Sequence, residues 1–176
     1  MVALAPVDWE QSDAVTVKVY STLEEGDLGR VKDAFAEARD ADRRVLALEM
    51  ASDGGDADTG LALAEYVAAN DIEVLLRQRC WSACSFVALV ALGRGNLTIR
   101  EHAEIGVHQA RDTYRGTASP DWTRDAAKRL KRLGAPAGPL KEMVETPPSS
   151  MSIYGYYQLQ MMGATAMPGS WWVFWE

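Results

Sequence analysis

A chain of 176 residues with 48% hydrophobic content carries enough apolar surface for one compact domain without a metal or a disulfide framework. Its net charge of −7 and scattered Lys and Arg exclude a surface that coats nucleic acid, which needs concentrated positive charge. The longest apolar run, residues 86–92, falls far short of the ~20 residues that span a bilayer, so no membrane span is expected. Residues 1–9 lack the basic start and apolar core of a signal peptide.

Residues 14–20 alternate, with Val15, Val17 and Val19 on one side and Thr16 and Lys18 on the other, as a half-buried opening strand does. After Gly26, Leu28, Val31, Phe35 and Ala38 recur at helical spacing and predict an amphipathic helix. A short apolar run, 45–50, ends at Ser52-Asp53-Gly54-Gly55, and helical spacing resumes over 59–69. The next unit repeats the scheme: a strand at 72–76, a turn through 77–81 and an apolar helix over 82–92. Residues 97–99 and 105–108 read as two further strands. This alternation predicts an α/β fold of parallel βαβ units with right-handed crossovers.

Past His108 the chain turns polar, then predicts a basic amphipathic helix over 122–133. Pro136, Pro139, Pro147 and Pro148 leave room for short helices at 140–144 and 153–162. The tail holds Trp171, Trp172, Phe174 and Trp175, an aromatic density suited to docking on the body or on a second subunit. The expected organisation is therefore a single domain, with a βαβ core at about 15–109, a helical part at about 120–163 and an aromatic tail at 164–176.

Ser82 lies in Cys80-Trp81-Ser82-Ala83-Cys84, where a loop becomes a helix. Free amides and the positive end of the helix dipole at that point suit a nucleophile whose substrate becomes an oxyanion. The same position also suits a plain N-cap serine. Gly54-Gly55, at the end of a buried strand, lets backbone approach a ligand, or merely turns the chain. Histidine is the usual base for a serine, and only His102 and His108 are present; His108, at a strand end, is the better placed. Ser85, one helical turn on, competes with Ser82. The two cysteines admit three readings: a disulfide, a pair of buried packing residues, or a zinc site with His102 and His108, which lacks the paired short spacings of a known finger.

Taken together, Leu48-Glu49-Met50-Ala51-Ser52-Asp53-Gly54-Gly55-Asp56, the Cys80 to Cys84 segment and Ala103-Glu104-Ile105-Gly106-Val107-His108-Gln109 resemble the Clp-protease-like branch of the Clp protease/crotonase superfamily, in particular its exported bacterial members. The resemblance covers roughly residues 15–109 and continues more weakly through 146–163. It implies a spiral of βαβ units with a helical C-terminal part, and a serine peptidase with Ser82 as nucleophile and His108 as base. The amides of Gly55 and Ala83 would form the oxyanion hole, and a peptide substrate would pair as an added strand along residues 54–58, touching Gly54 and Asp56. No cofactor is implied; a peptide or protein substrate and homo-oligomerisation are, and so is an exported, periplasmic location with the export signal removed, the alternative being the cytoplasm.

The family's orienting carboxylate has no counterpart in residues 146–152, which leaves Asp112, Ser150 or Ser152 to hold the imidazole, or a Ser-His dyad. Losing it costs up to about four orders of magnitude in turnover, a gap large enough to separate an enzyme from a relic. A catalytically silent peptide-binding module is therefore the alternative. An acyl-CoA enzyme of the crotonase branch fits poorly, since neither an acidic base nor a basic cluster for nucleotide phosphates is evident.

Overall fold

The computed structural model describes residues 2–6, 14–112 and 115–167; the aromatic tail from Trp171 onward lies outside them. Five strands carry the main sheet path: β1 (Val2–Pro6), β2 (Ala14–Tyr20), β3 (Arg44–Ser52), β4 (Val74–Trp81) and β5 (Leu97–Ile99). The path ends on the two-residue β8 (Thr165–Ala166), while β6 (Glu104–Val107) and β7 (Ser152–Gly155) branch from β4. Pairing is parallel through β2, β3, β4, β5 and β8, and between β4 and β6; β1 on β2 and β7 on β6 are antiparallel. Between the strands run α1 (Asp27–Asp40), α2 (Ala57–Asn70) and α3 (Ala83–Arg94), and later α4 (Pro120–Arg132), α5 (Ala137–Glu145) and α6 (Tyr156–Met161). The result is a mixed α/β fold with a mostly parallel sheet, as the alternation predicts.

Period-2 alternation explains which face of the sheet is covered. Val17, Val19, Leu48, Met50, Val74, Leu76, Leu97 and Ile99 are buried in one continuous core with Leu61, Leu63, Ala64 and Val67 of α2 and Phe86, Val87, Leu89 and Val90 of α3. α3 is buried almost all round, which is why its sequence is apolar without a polar stripe. The other face of the sheet carries Glu49, buried among cations: Arg77 at 3.1 Å and Lys18 at 3.9 Å, with the Tyr20 hydroxyl donating to the same carboxylate. A buried carboxylate is tolerable only with such partners.

Three element assignments differ from the periodicity. β4 runs on to Trp81, where the sequence suggests a turn through 77–81. Its second half reads as polar because Arg77 and Arg79 face outward to Glu49 and Asp53, yet the backbone pairs Ser52 of β3 with Cys80 and aligns Arg79 to Trp81 with Glu104 to Gly106 of β6. Residues 153–162 are not one helix: Ile153 and Tyr154 are taken into β7 by β6, a long-range pairing that overrides local spacing, and α6 starts only at Tyr156. A further strand, β1, precedes the expected opening strand and covers the edge of β2. β4 changes partners midway, from β5 in its first half to β6 in its second. That switch delivers its C-terminal end to the site.

Candidate functional site

β4 ends at Trp81 and α3 begins at Ala83, so Ser82 alone makes the turn from strand to helix. Its backbone sits at φ 51°, ψ −125°, a region a non-glycine residue enters at a cost of about 1–3 kcal/mol. Three contacts hold it there. The Ser82 amide donates to the Gly106 carbonyl of β6 at 2.9 Å, and the Ser82 carbonyl accepts from the amide (2.9 Å) and hydroxyl (2.6 Å) of Ser85. Ser82 occupies the N-cap position of α3, but its side chain makes no capping bond, so the structural role open to a serine there is not taken. Ser85, by contrast, is fully buried with its hydroxyl committed, which removes it as a nucleophile.

The glycines around the turn are packed against it. A Cβ on Gly54 (φ +105°) would come within 2.6 Å of Ser82 Cβ and 2.9 Å of the Trp81 carbonyl. One on Gly60 of α2 would meet the Ala83 carbonyl at 2.4 Å, and one on Gly106 would meet the Trp81 ring at 2.6 Å. Cys80 and Cys84, both fully buried, are joined by a disulfide that spans Ser82. This selects one of the three readings open to the pair and removes both thiolates from the zinc alternative.

Ser82, Gly55, Asp56, His108 and Asp112 line one pocket of about 710 Å³, together with Thr22, Phe86 and Trp122. The Phe86 and Trp122 rings pack at 6.1 Å, and the Trp122 indole N–H donates to Asp58 at 3.2 Å. α2 and α3 both start on this pocket, bringing two positive dipole ends to it. The Asp56 carboxylate accepts from the Thr59 amide at 2.7 Å and so serves as the α2 cap.

Gly54 and Gly55 do different things. The Gly54 amide meets the Ser52 hydroxyl (3.1 Å), and its carbonyl accepts from the Leu23 amide (2.6 Å). Both groups are spent inside, so Gly54 is a packing residue beneath the turn rather than an edge for a substrate. Asp56 donates its amide to the Leu23 carbonyl at 2.9 Å. With its two neighbours bonded to Leu23, Gly55 turns its own N–H and C=O the other way, on the pocket wall. Ala83 is the first residue of α3, where an amide has no intrahelical acceptor. The free edge is thus Gly55, not the whole of 54–58, because α2 begins at Ala57.

His108 lies just past the end of β6, half-buried. Its Nδ1 is 2.8 Å from the carbonyl of Gln109. A carbonyl only accepts, so Nδ1 carries the proton and Nε2 keeps its lone pair. Burial, first of all, and the nearby Arg111 charge hold its pKa below the usual 6.5, against the opposing pull of the Gln109 carbonyl. Gln109 is itself anchored: its amide donates to Thr146 (2.9 Å) and its side-chain amide to Val144 (2.5 Å).

The three residues expected to orient the ring differ in their surroundings. Asp112 accepts from the Arg115 amide at 3.0 Å, Ser150 is exposed at the turn after α5, and Ser152 donates to Glu142. The group that faces the ring at Nδ1 is a main-chain carbonyl, which no side-chain pattern advertises. His102 lines a separate cavity with Arg77 and Arg100. None of the described helices is long and apolar enough to cross a membrane.

No family model matches the chain. No curated protein sequence matches it either. Among solved structures, a mutant form of the 1510-N membrane-bound stomatin-specific protease superposes with a TM-score of 0.62 at 14% identity, over 88% of this chain and 77% of that one. At that identity the likeness is one of fold alone: this mixed α/β chain shares the fold of that structure.

Proposed function

We propose that the chain is a serine peptidase of the Clp-protease-like type. The observation that carries this reading is that one pocket is lined both by a serine whose hydroxyl makes no capping bond at a strained strand-to-helix turn and by a histidine whose Nδ1 faces a carbonyl. Ser82 Oγ attacks the scissile carbonyl carbon while His108 Nε2 takes its proton. The carbonyl oxygen, now an oxyanion, is met by the amides of Gly55 and Ala83 at the positive end of α3. The imidazolium then protonates the leaving amine, and water, activated by the same Nε2, hydrolyses the acyl-serine.

A carbonyl in place of a carboxylate selects the productive tautomer but stabilises the imidazolium less. The four-order loss that accompanies a wrong tautomer therefore does not apply. A slow peptidase with a Ser-His dyad is the expected outcome. The silent peptide-binding module draws on the same missing carboxylate and the same free Gly55 edge. Labelling with a fluorophosphonate separates the two: an adduct on Ser82, located by mass spectrometry and lost in His108→Ala, supports the peptidase, while folded wild type that takes no label supports the binding module.

The pH profile follows from the direction of the His108 shift. Its folded pKa lies below the usual 6.5, so the neutral base predominates at pH 7 and the acid limb of the labelling rate should have its midpoint below 6.5. The unfolded chain takes up this proton more readily than the folded one. The group's share of stability is therefore present above about pH 6.5 and falls away as the pH drops below it. A labelling midpoint at or above 6.5 would argue that another group is the base.

A further inference from the structure

We propose that the Cys80–Cys84 disulfide is a latch that positions Ser82, and that it confines the hydrolase activity to oxidising conditions. The activity half of this inference rests on the peptidase reading above; the positional half does not. The bond joins the end of β4 to the first turn of α3 across Trp81, Ser82 and Ala83, the residues that make the strained turn and supply one oxyanion amide. Cys80 is held on both sides, by Ser52 of β3 and Ile105 of β6, so it is a fixed post. Cys84 is the moving end, because helix starts lack the full set of main-chain bonds.

In the chain-entropy model a separation of four residues is worth about 2 kcal/mol, against about 3 for a 15-residue loop, and the constraint falls entirely within the segment from Cys80 to Cys84. Its effect is therefore local. Ser82 has a cost to meet at φ 51° and no capping bond to offset it, and the latch keeps the helix start against the strand end while Gly54, Gly60 and Gly106 fill the space on the other sides. Reduction by a dithiol adds two electrons and two protons, giving two thiols and the reductant's cyclic disulfide. Two buried thiols need more room than one bond. With both residues fully enclosed, that room must come from the start of α3, which carries Ser82 and Ala83 with it.

The same enclosure shields the bond from reductant in the closed state, so it opens only when the turn does. Thiols in a reducing compartment would stay unbonded from synthesis onward. The chain would then fold with its core intact and its nucleophile misplaced.

The test compares oxidised wild type, wild type refolded in dithiothreitol and Cys80→Ala/Cys84→Ala, with thermal melts to confirm folding. Two readouts are taken: the rate of fluorophosphonate labelling at Ser82, and hydrogen exchange at the Ser82 and Ser85 amides, whose acceptors are Gly106 and Ser82. The latch predicts labelling at least tenfold slower and exchange at least tenfold faster without the bond, with β2 amides unchanged. Equal exchange at the turn in all three overturns the latch, and equal labelling at a measurable rate overturns its control of activity. If oxidised wild type takes no label but the turn exchanges faster on reduction, the peptidase reading fails and the positional latch stands. Should the double variant not fold, the refolded reduced wild type decides.

Discussion

Ser82→Ala is expected to lower peptide hydrolysis by four orders of magnitude or more, on the order of the loss seen when a nucleophile acting as part of a unit is removed. The thermal midpoint should move by no more than about 2 °C, since the side chain makes no capping bond and the amide and carbonyl that hold the turn remain. The contrast between the two readouts is what identifies a nucleophile. A serine kept for folding would show the reverse, a lower midpoint with activity falling only in proportion. Peptide binding should survive in this variant, because the Gly55 edge and the Phe86 and Trp122 wall are untouched. Residual turnover within tenfold of wild type would sink the assignment.

Gly54→Ala should damage both the fold and the turn that carries Ser82. The residue has φ +105°, and its Cβ would press on Ser82 Cβ at 2.6 Å, the Trp81 carbonyl at 2.9 Å and the Ala83 amide at 3.2 Å. Backbone strain of about 1–3 kcal/mol adds to overpacking of about 1–3 kcal/mol. For a chain of this size that is roughly a 5–15 °C lower midpoint. Labelling at Ser82 should fall at least tenfold in whatever folds, since the clash bears on the turn itself. Gly116→Ala is the control: its φ is +66°, but nothing lies within 4 Å of the new Cβ, so only the strain remains. Equal midpoints for the two variants would mean that the close approach of Gly54 to the turn is not what that glycine is for.

The pattern of residues already specifies much of this. Val15, Val17 and Val19 against Thr16 and Lys18 define β2 and its buried face, and the spacing of Val31 and Ala38 defines the inner side of α1. The apolar run before Ser52-Asp53-Gly54-Gly55 and the turn at Cys80 to Cys84 place a glycine loop and a serine next to helix starts, because these are local features of spacing and backbone freedom. Ser82 and His108 stand out as candidate residues for the same local reason: one opens an apolar helix and the other follows a short apolar strand.

What spacing does not carry is pairing between distant segments. The polar second half of β4 is a strand only because Ser52 and residues 104–106 bond to it, and β7 is a strand only because β6 is beside it. Three decisions at the site share that origin. Gly54 and Gly55 look alike in sequence, but the bonds of Leu23 bury one and turn the other outward. The cysteine pair becomes a disulfide because β4 is pinned and α3 starts on top of it. The imidazole is oriented by the carbonyl of Gln109, a group every residue possesses, and its direction comes from anchoring Gln109 on Val144 and Thr146 some 35 residues away. Main-chain groups have no letter in the sequence, so their aim is settled only when distant strands and helices close around them.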